Sequence, residues 1–421
     1  MTFTDEQRIA VETKDKNFAV IAGAGSGKTH VLVSRFLHLL EQNPDWALNA
    51  VVAITFTKKA AAEMRDRVRM QIENRYFDAL NHDDATRANH WQRLLAEMDS
   101  ARITTIHGLC GELLRTNAAI LGIDPRFEIA EEVDNVTRLR DVVDQVLVTV
   151  SQNDPQLAQL FTDYAPADIR KILNNPALIN ADFPLPRTPE EVWASWESGK
   201  RRVLSQFINQ TLMLEQIMAN YPADNKFTQS FAMIFPLPDQ EAIFADPNLL
   251  IERYTSLSFQ VGGAQIKEFR DQVKDTRDAL KKHFDGFVDD YEKRSLELTL
   301  LWVGLIERVR DAYRQAKTRD NVLDFDDLER LASQLLTHEA VRERYQNREI
   351  KHVMVDEFQD TNATQWQIVK GLANITQGGA LFVVGDPKQS IYAFRGADVS
   401  VFGAVCQEIS ALSVGEEIPL S

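Results

Sequence analysis

The residues with the most definite chemistry are Ala22–Thr29, AGAGSGKT, which follow a short apolar run at Phe18–Ile21. A helical pattern comes next, with Val31, Leu32, Phe36, Leu39 and Leu40 on one face. Glycine-rich backbone between a strand and a helix can curl so that successive N–H groups point at phosphate oxygens, and the helix N-terminus adds its positive end. On this reading Ala22, Gly23, Ala24, Gly25, Ser26, Gly27, Lys28, Thr29 and His30 surround a nucleotide. Lys28 reaches the β- and γ-phosphates, and Thr29 offers its hydroxyl to Mg²⁺. Ala22 stands where the usual pattern has glycine, and a small residue there still permits the turn. The plainer alternative is a strand-to-helix turn with a chance lysine.

Two further segments carry polar groups at the ends of apolar runs. VMVDEFQDTN (Val353–Asn362) places Asp356 and Glu357 at the carboxyl end of a strand, where parallel sheets bind ligands. Asp356 is the candidate Mg²⁺ ligand, directly or through water. Glu357 is the candidate base for the attacking water. By itself such a pair also reads as a solvated strand end. VVGDPKQSIYAFRGAD (Val383–Asp398) offers Gln389 to a γ-phosphate or a water. Tyr392, Phe394 and Arg395 offer a stacking surface for unpaired bases, although core aromatics beside a surface arginine would look the same. A local basic stretch, with Lys58, Lys59, Arg65, Arg67 and Arg69 against Glu63 and Asp66, opens a helix after a Thr-rich strand end. Such a helix start suits a phosphate backbone.

The elements that must position these groups follow from the patterning. Phe18–Ile21, Val51–Ile54, Arg102–Thr105, His352–Val355 and Leu381–Val384 read as strands. Helices are expected after Gly27, from near Lys58, and from His107 to about Leu121. This alternation predicts a parallel α/β sheet. Between Gly122 and about residue 320 the pattern is helical, broken by proline-rich stretches at 174–189 and 221–238. Gly286 and Gly304 are candidate interruptions in the long run from Gln265 to Ala316. Trp193, Trp196 and Trp302 read as core residues. The organisation expected is an α/β domain in two parts, 1–125 and 321–421, split by a helical insertion at 126–320.

Composition narrows the function classes. The 421 residues carry a formal charge of −15, which excludes coating nucleic acid by bulk charge and requires a local basic surface instead. Cys110 and Cys406 are too few for a disulfide framework or a four-cysteine metal site. His38, His82 and His283 lack metal-ligand spacing. The N-terminus has no secretory signal, and no apolar run approaches the ~18 residues of a membrane span. A cytoplasmic chain without membrane contact is expected.

Three motifs in this order, each at a strand end, resemble the superfamily 1 DNA helicases of the UvrD/Rep kind. Four more segments share the resemblance: Phe3–Val11, Ile54–Val68, Ile103–Cys110 and Val322–Ala332. Ala101–Glu132 looks closest to the AddA and RecB type, the motor subunits of helicase–nuclease complexes. The recognisable segments cover roughly a third of the chain, and the helical insertion matches in position.

The resemblance implies that the split α/β domain is RecA-like and that Gln7 reads adenine. It also implies that Thr55, Phe56, Thr57 and Lys58, together with Thr105 and His107, contact DNA. ATP and Mg²⁺ are the implied cofactors. The implied partners are single-stranded and duplex DNA and a nuclease or helicase partner subunit, with 3′-5′ movement in repair or recombination. Phe394 stands where UvrD-like relatives usually show tryptophan, so weaker base stacking is expected.

Family members carry a second RecA-like domain after the third motif, with an arginine that reaches the γ-phosphate. This chain reaches Ser421 about where the next motif begins. The second domain is therefore expected to be absent, and the chain reads as the N-terminal portion of a larger motor or a truncated reading frame. An arginine finger is worth ~10³ or more in rate, so ATP binding with weak hydrolysis is expected. The competing expectation is a non-catalytic, nucleotide-dependent DNA-binding or assembly module. An unrelated P-loop NTPase ranks far lower, because QSIYAFRGAD has no role in one.

Overall fold

A computed structural model describes residues 3–23, 25–180, 185–284, 289–386 and 399–420, with side chains for all of these except 289–293 and 399–400. The chain forms two compact units, Met1–Asn135 with Lys317–Ser421, and Val136–Ala316. Ala24, Gly286, Gln389, Tyr392, Phe394 and Arg395 lie outside the described residues.

In the first unit, the described residues form eight strands in chain order: β1 (Asn17–Ala22), β2 (Val51–Thr55), β3 (Ile103–Thr105), β4 (Glu128–Ile129), β5 (Val322–Leu323), β6 (His352–Val355), β7 (Leu381–Gly385) and β8 (Gly415–Leu420). Six of them make one parallel sheet in the order β3-β2-β6-β7-β1-β8. The near-continuous apolar runs follow from burial on both faces. Alternate residues enter two different cores. Phe18, Val20, Val51, Ala53, Phe382 and Val384 pack on one face, and Ala19, Val52, Ile54, Leu381 and Val383 on the other.

Helices α1 (Asp5–Glu12), α2 (Lys28–Gln42), α3 (Lys58–Asn81) and α4 (Ala85–Ala96) cover the first face. Helix α5 (Ile106–Thr116) and the helices Phe325–Thr337, Ala363–Leu372 and Val399–Ala411 cover the second. This is the RecA-like α/β arrangement expected.

Several elements depart from the sequence expectation. The helix expected to run to Leu121 stops at Thr116, and a separate turn spans Ala118–Leu121. The buried Asn117 amide explains the break. Its Nδ2 donates to Leu113 O at 2.7 Å and to the Tyr345 hydroxyl at 3.0 Å, competing with the helix backbone. Strand β8 and the β4–β5 pair were not anticipated. β8 holds two glutamates and a proline, yet it pairs in parallel with β1 from Asn17↔Gly415 to Ala22↔Leu420.

The second unit is helical and has two cores, one around Phe227, Phe231 and Phe269 and one around Val143, Leu160 and Leu305. Its long helices include Pro189–Met218, opened by a Thr188/Glu191 capping box with proline in the first turn. Gly304 does not interrupt the helix Asp289–Arg319. A Cβ there would meet Leu157 Cδ2 at 3.2 Å, so this glycine serves a close side-chain approach. Trp302 packs against the second core. Trp193 and Trp196 correct the core expectation: they are 47% and 36% exposed, with ring centroids 5.0 Å apart. The buried residues of their helix are others, among them Val192, Leu204 and Phe207. No helix among the described residues is long and apolar enough to cross a membrane.

Candidate nucleotide and nucleic-acid site

The loop after β1 has the backbone its glycines allow. Gly25 and Gly27 have φ of 80° and 78°, in the left-handed region that disfavours a side chain. Gly27 is the N-cap of α2, which sets Lys28 and Thr29 in the first turn. The Ser26 hydroxyl donates to Gly23 O at 2.8 Å and closes the loop. Ala22 is the buried last residue of β1. His30 is exposed and stacks on Phe3 at 5.0 Å.

Gln7 lies against this loop. Its Oε1 accepts from Thr4 N at 3.1 Å in the capping box of α1. Its Nε2 donates to Ser26 O at 3.0 Å. A Cβ at Gly27 would stand 3.2 Å from that same Nε2.

The acidic pair follows β6. Asp356 N donates to Ile54 O at 2.8 Å and extends the β2–β6 ladder to the sheet edge. Glu357 has φ 51° and ψ 44°, a left-handed conformation uncommon for a residue with a side chain. That turn aims its carboxylate at the loop after β1, where Lys28 Nζ donates to its two oxygens at 3.1 and 3.3 Å. The ends of β1 and β6 therefore meet across the intervening β7. Burial, with the Glu357 charge next door, pushes the Asp356 carboxyl up to about 6, against a hydrogen bond from Glu357 N and the nearby Lys28 charge.

Gln359 was missed in the sequence. It is 2% exposed. Its Nε2 donates to Glu357 Oε2 at 2.9 Å, and its Oε1 accepts from Asp386 N, just past β7, at 2.9 Å. A Cβ at Gly385 would come within 2.7 Å of this amide, so the glycine makes room for it.

The neighbouring edge is formed by β2 and β3, which pair Thr55 with Thr105. The hydroxyl of Thr57 caps α3, accepting from Ala60 N at 3.0 Å. The hydroxyl of Thr105 caps α5, accepting from Gly108 N at 3.2 Å. Two long helix N-termini thus begin at adjacent strand ends, with their positive poles on one edge. The Thr55 hydroxyl is turned inward and donates to Thr57 O at 3.1 Å. Phe56 is half-buried and Lys58 exposed. Arg65 is anchored on Ile103 O at 2.8 Å.

His107 stacks on Phe325, with centroids 4.4 Å apart. Its Nε2 lies 2.8 Å from Glu329 Oε1. Glu329, 8% exposed, also accepts from Asn362 Nδ2 at 3.0 Å and Gln365 Nε2 at 2.6 Å. Burial pushes its carboxyl up, and these donors outweigh burial and hold it below the usual carboxylate range. Glu329 and Gln365 were also missed. The Asn362-to-Gln365 spacing is a legible capping box. Glu329 has no local signal, since His107 is 222 positions away.

The sequence profile of the family described as UvrD/REP helicase N-terminal domain matches residues 3–409. The chain is similar to a protein of Oceanobacillus iheyensis whose name describes an ATP-dependent helicase/nuclease subunit, 28% identical over 96% of this chain and 36% of that protein. It is also similar to proteins of the same name from Staphylococcus epidermidis, 28% identical over 95% and 36%, and Levilactobacillus brevis, 28% identical over 100% and 37%. The chain thus spans a little over a third of the length of these curated relatives.

Proposed function

The chain belongs to the UvrD/REP helicase N-terminal domain family, and from that membership and the sheet-edge geometry we propose that it is the ATP-binding motor portion of a DNA helicase. The observation that carries this reading is the meeting of Lys28 with Glu357 at 3.1 Å, which joins the phosphate loop and the acidic strand end in one site. The finer proposals are 3′-5′ translocation on single-stranded and duplex DNA in repair or recombination, a helicase–nuclease context with a partner subunit, and a cytoplasmic location. The names of the relatives support the helicase–nuclease context.

The site residues fit Mg²⁺-ATP. Gly23 and Gly25 have open space where a Cβ would stand, and the left-handed glycines turn the loop as a phosphate cradle requires. Burial, and after it the Glu357 charge, raises the proton affinity of Asp356, and a divalent cation would favour its charged form. No cluster of three or more acidic, His or Cys groups suited to a metal lies among the described residues. Thr29 and Asp356 are the residues that would hold the ion, with phosphate oxygens and water as further ligands, the usual arrangement for magnesium. When bound, the ion supplies neutralisation of charge on the phosphoryl oxygens.

This chain's residues then divide the remaining work. Ala22, Gly23, Ala24, Gly25, Ser26, Gly27 and His30 surround the phosphates, Lys28 binds them, and Gln7 flanks the base. Glu357 orients a water and takes its proton, and Gln389 is assigned to the same γ-phosphate or water. Thr55, Phe56, Thr57, Lys58, Thr105 and His107 hold a DNA strand along the β2–β3 edge, with Tyr392, Phe394 and Arg395 as the stacking group. Glu357 must leave Lys28 before it can act on water, so the 421-residue chain binds ATP better than it turns it over.

Titration with a fluorescent ADP in Mg²⁺, and separately with a fluorescent oligo-dT strand, tests this. Saturable nucleotide binding that is lost in Lys28→Ala, with DNA binding kept, is expected. Nucleotide affinity that is the same in Lys28→Ala overturns the assignment.

A further inference from the structure

We propose that Glu329 is a positioning residue that joins the DNA edge to the segment carrying the acidic pair. The proposal rests on the functional reading above and names a coupling element within it. Three donors from two distant parts of the chain converge on this one carboxylate. His107 comes from the start of α5, where the β3 end opens onto the proposed DNA edge. Asn362 and Gln365 come from the capping box of the helix Ala363–Leu372. That box follows Glu357 after a single short turn, Phe358–Asp360.

The sharing is what couples the two sides. A buried carboxylate keeps its charge only while its donors stay in place, and losing one raises the cost of the arrangement for the others. The Asn362 side chain has two tasks: its Oδ1 accepts from Gln365 N at 2.8 Å to cap the helix, and its Nδ2 holds Glu329 at 3.0 Å. The Gln365 side chain likewise accepts from Asn362 N at 3.4 Å and donates to Glu329 at 2.6 Å. No donor can leave Glu329 without disturbing the helix start or the His107 ring. His107 is more open than the carboxylate it holds, with a side chain 30% exposed against 10% for Glu329. A strand that draws His107 toward a phosphate or base therefore pulls on Glu329, then on Asn362, and so on the segment that sets Asp356 and Glu357.

By linkage, a nucleotide at the acidic pair changes the affinity for DNA by the same factor that DNA changes the affinity for nucleotide. The experiment measures oligo-dT affinity of the 421-residue chain with and without a saturating non-hydrolysable ATP analogue in Mg²⁺. It compares wild type, Glu329→Gln, His107→Ala and the double variant, with folding checked by thermal melting. Wild type is expected to show a nucleotide-dependent change in DNA affinity of about fivefold or more. In Glu329→Gln that ratio falls to about one, while nucleotide affinity stays unchanged. The double variant is no worse than His107→Ala in this ratio.

A ratio that stays at the wild-type value in folded Glu329→Gln overturns the proposal. If Glu329→Gln does not fold, the partly exposed His107→Ala decides: loss of the ratio supports the coupling, and a retained ratio overturns it. Wild type that binds nucleotide and DNA without any linkage overturns the coupling alone. Wild type that binds no DNA overturns the functional reading and the coupling with it.

Discussion

At the scale of single residues, the site holds opposed charges whose balance a bound nucleotide must change. Glu357 shares Lys28 with the phosphates that Lys28 is proposed to bind. Glu357→Gln frees the lysine and removes a negative charge from the phosphate path. The expected result is ATP affinity raised by about 2- to 5-fold with turnover abolished, on the scale of a partly exposed ion pair. Equilibrium titration beside a hydrolysis assay checks both halves. Asp356 gives a pH signature, because its folded carboxyl sits at about 6, above the ordinary value. A raised group favours folding below its unfolded pKa, and that contribution is lost as pH rises through 6. Asp356→Asn should therefore melt level with wild type near pH 4 and gain on it between pH 4 and 7, by about 1–3 kcal/mol after allowance for partial exposure. Equal melting at every pH would contradict this. Lys28, Asp356 and Glu357 were legible because their residue types and the strand-end context carry the chemistry. Gln359 and Glu329 were not, because a buried amide or carboxylate acquires its role only from partners that the fold brings near.

At the scale of elements, the phosphate-loop helix also anchors the helix that carries Gln7. Arg35 of α2 is fully buried, and burial lowers its guanidinium to about 9. It donates to Ala10 O at 2.6 Å and Thr13 O at 2.9 Å, two carbonyls at the end of α1. Its Nε donates to His352 Nε2 at 3.3 Å, and the His352 ring donates from Nδ1 to Gly379 O at 2.6 Å. Burial and the Arg35 charge push His352 down to about 3, so the ring is neutral and can accept. Arg35→Met strands these acceptors and should cost about 2–4 kcal/mol, with weaker nucleotide binding as α1 loosens. Denaturant unfolding measures the first effect, and an unchanged midpoint would count against it. The strands with long apolar runs were legible because both faces of the sheet are buried. β8 was hidden by Glu416, Glu417 and Pro419, which a strand at the edge of a sheet tolerates. Gly304 was misread as a break because a glycine in sequence does not distinguish a helix end from a close packing contact.

At the scale of the whole molecule, the proposed DNA binding by an acidic chain needs a small basic edge. The charges there are few, and some are already engaged, as Arg65 is with Ile103 O. Oligo-dT binding should show a shallow salt dependence, with a log–log slope of about −2 to −3, since each neutralised phosphate contributes about −0.7. A slope near zero would remove the backbone contacts from the account. The alternation of strands and helices made the first unit readable, because the phosphate loop and the acidic pair follow the carboxyl ends of β1 and β6. The second unit carries helical periodicity but no motif, so its helical character was legible while the solvent-facing placement of Trp193 and Trp196 was not.

The central claim is that the β1 and β6 strand ends form one ATP site that answers to DNA. Its most direct test is ATP hydrolysis by the 421-residue chain with and without single-stranded DNA, beside Lys28→Ala as the blank. Slow turnover that DNA raises and that Lys28→Ala abolishes is expected. Turnover that is fast without DNA, or that persists in Lys28→Ala, would contradict it.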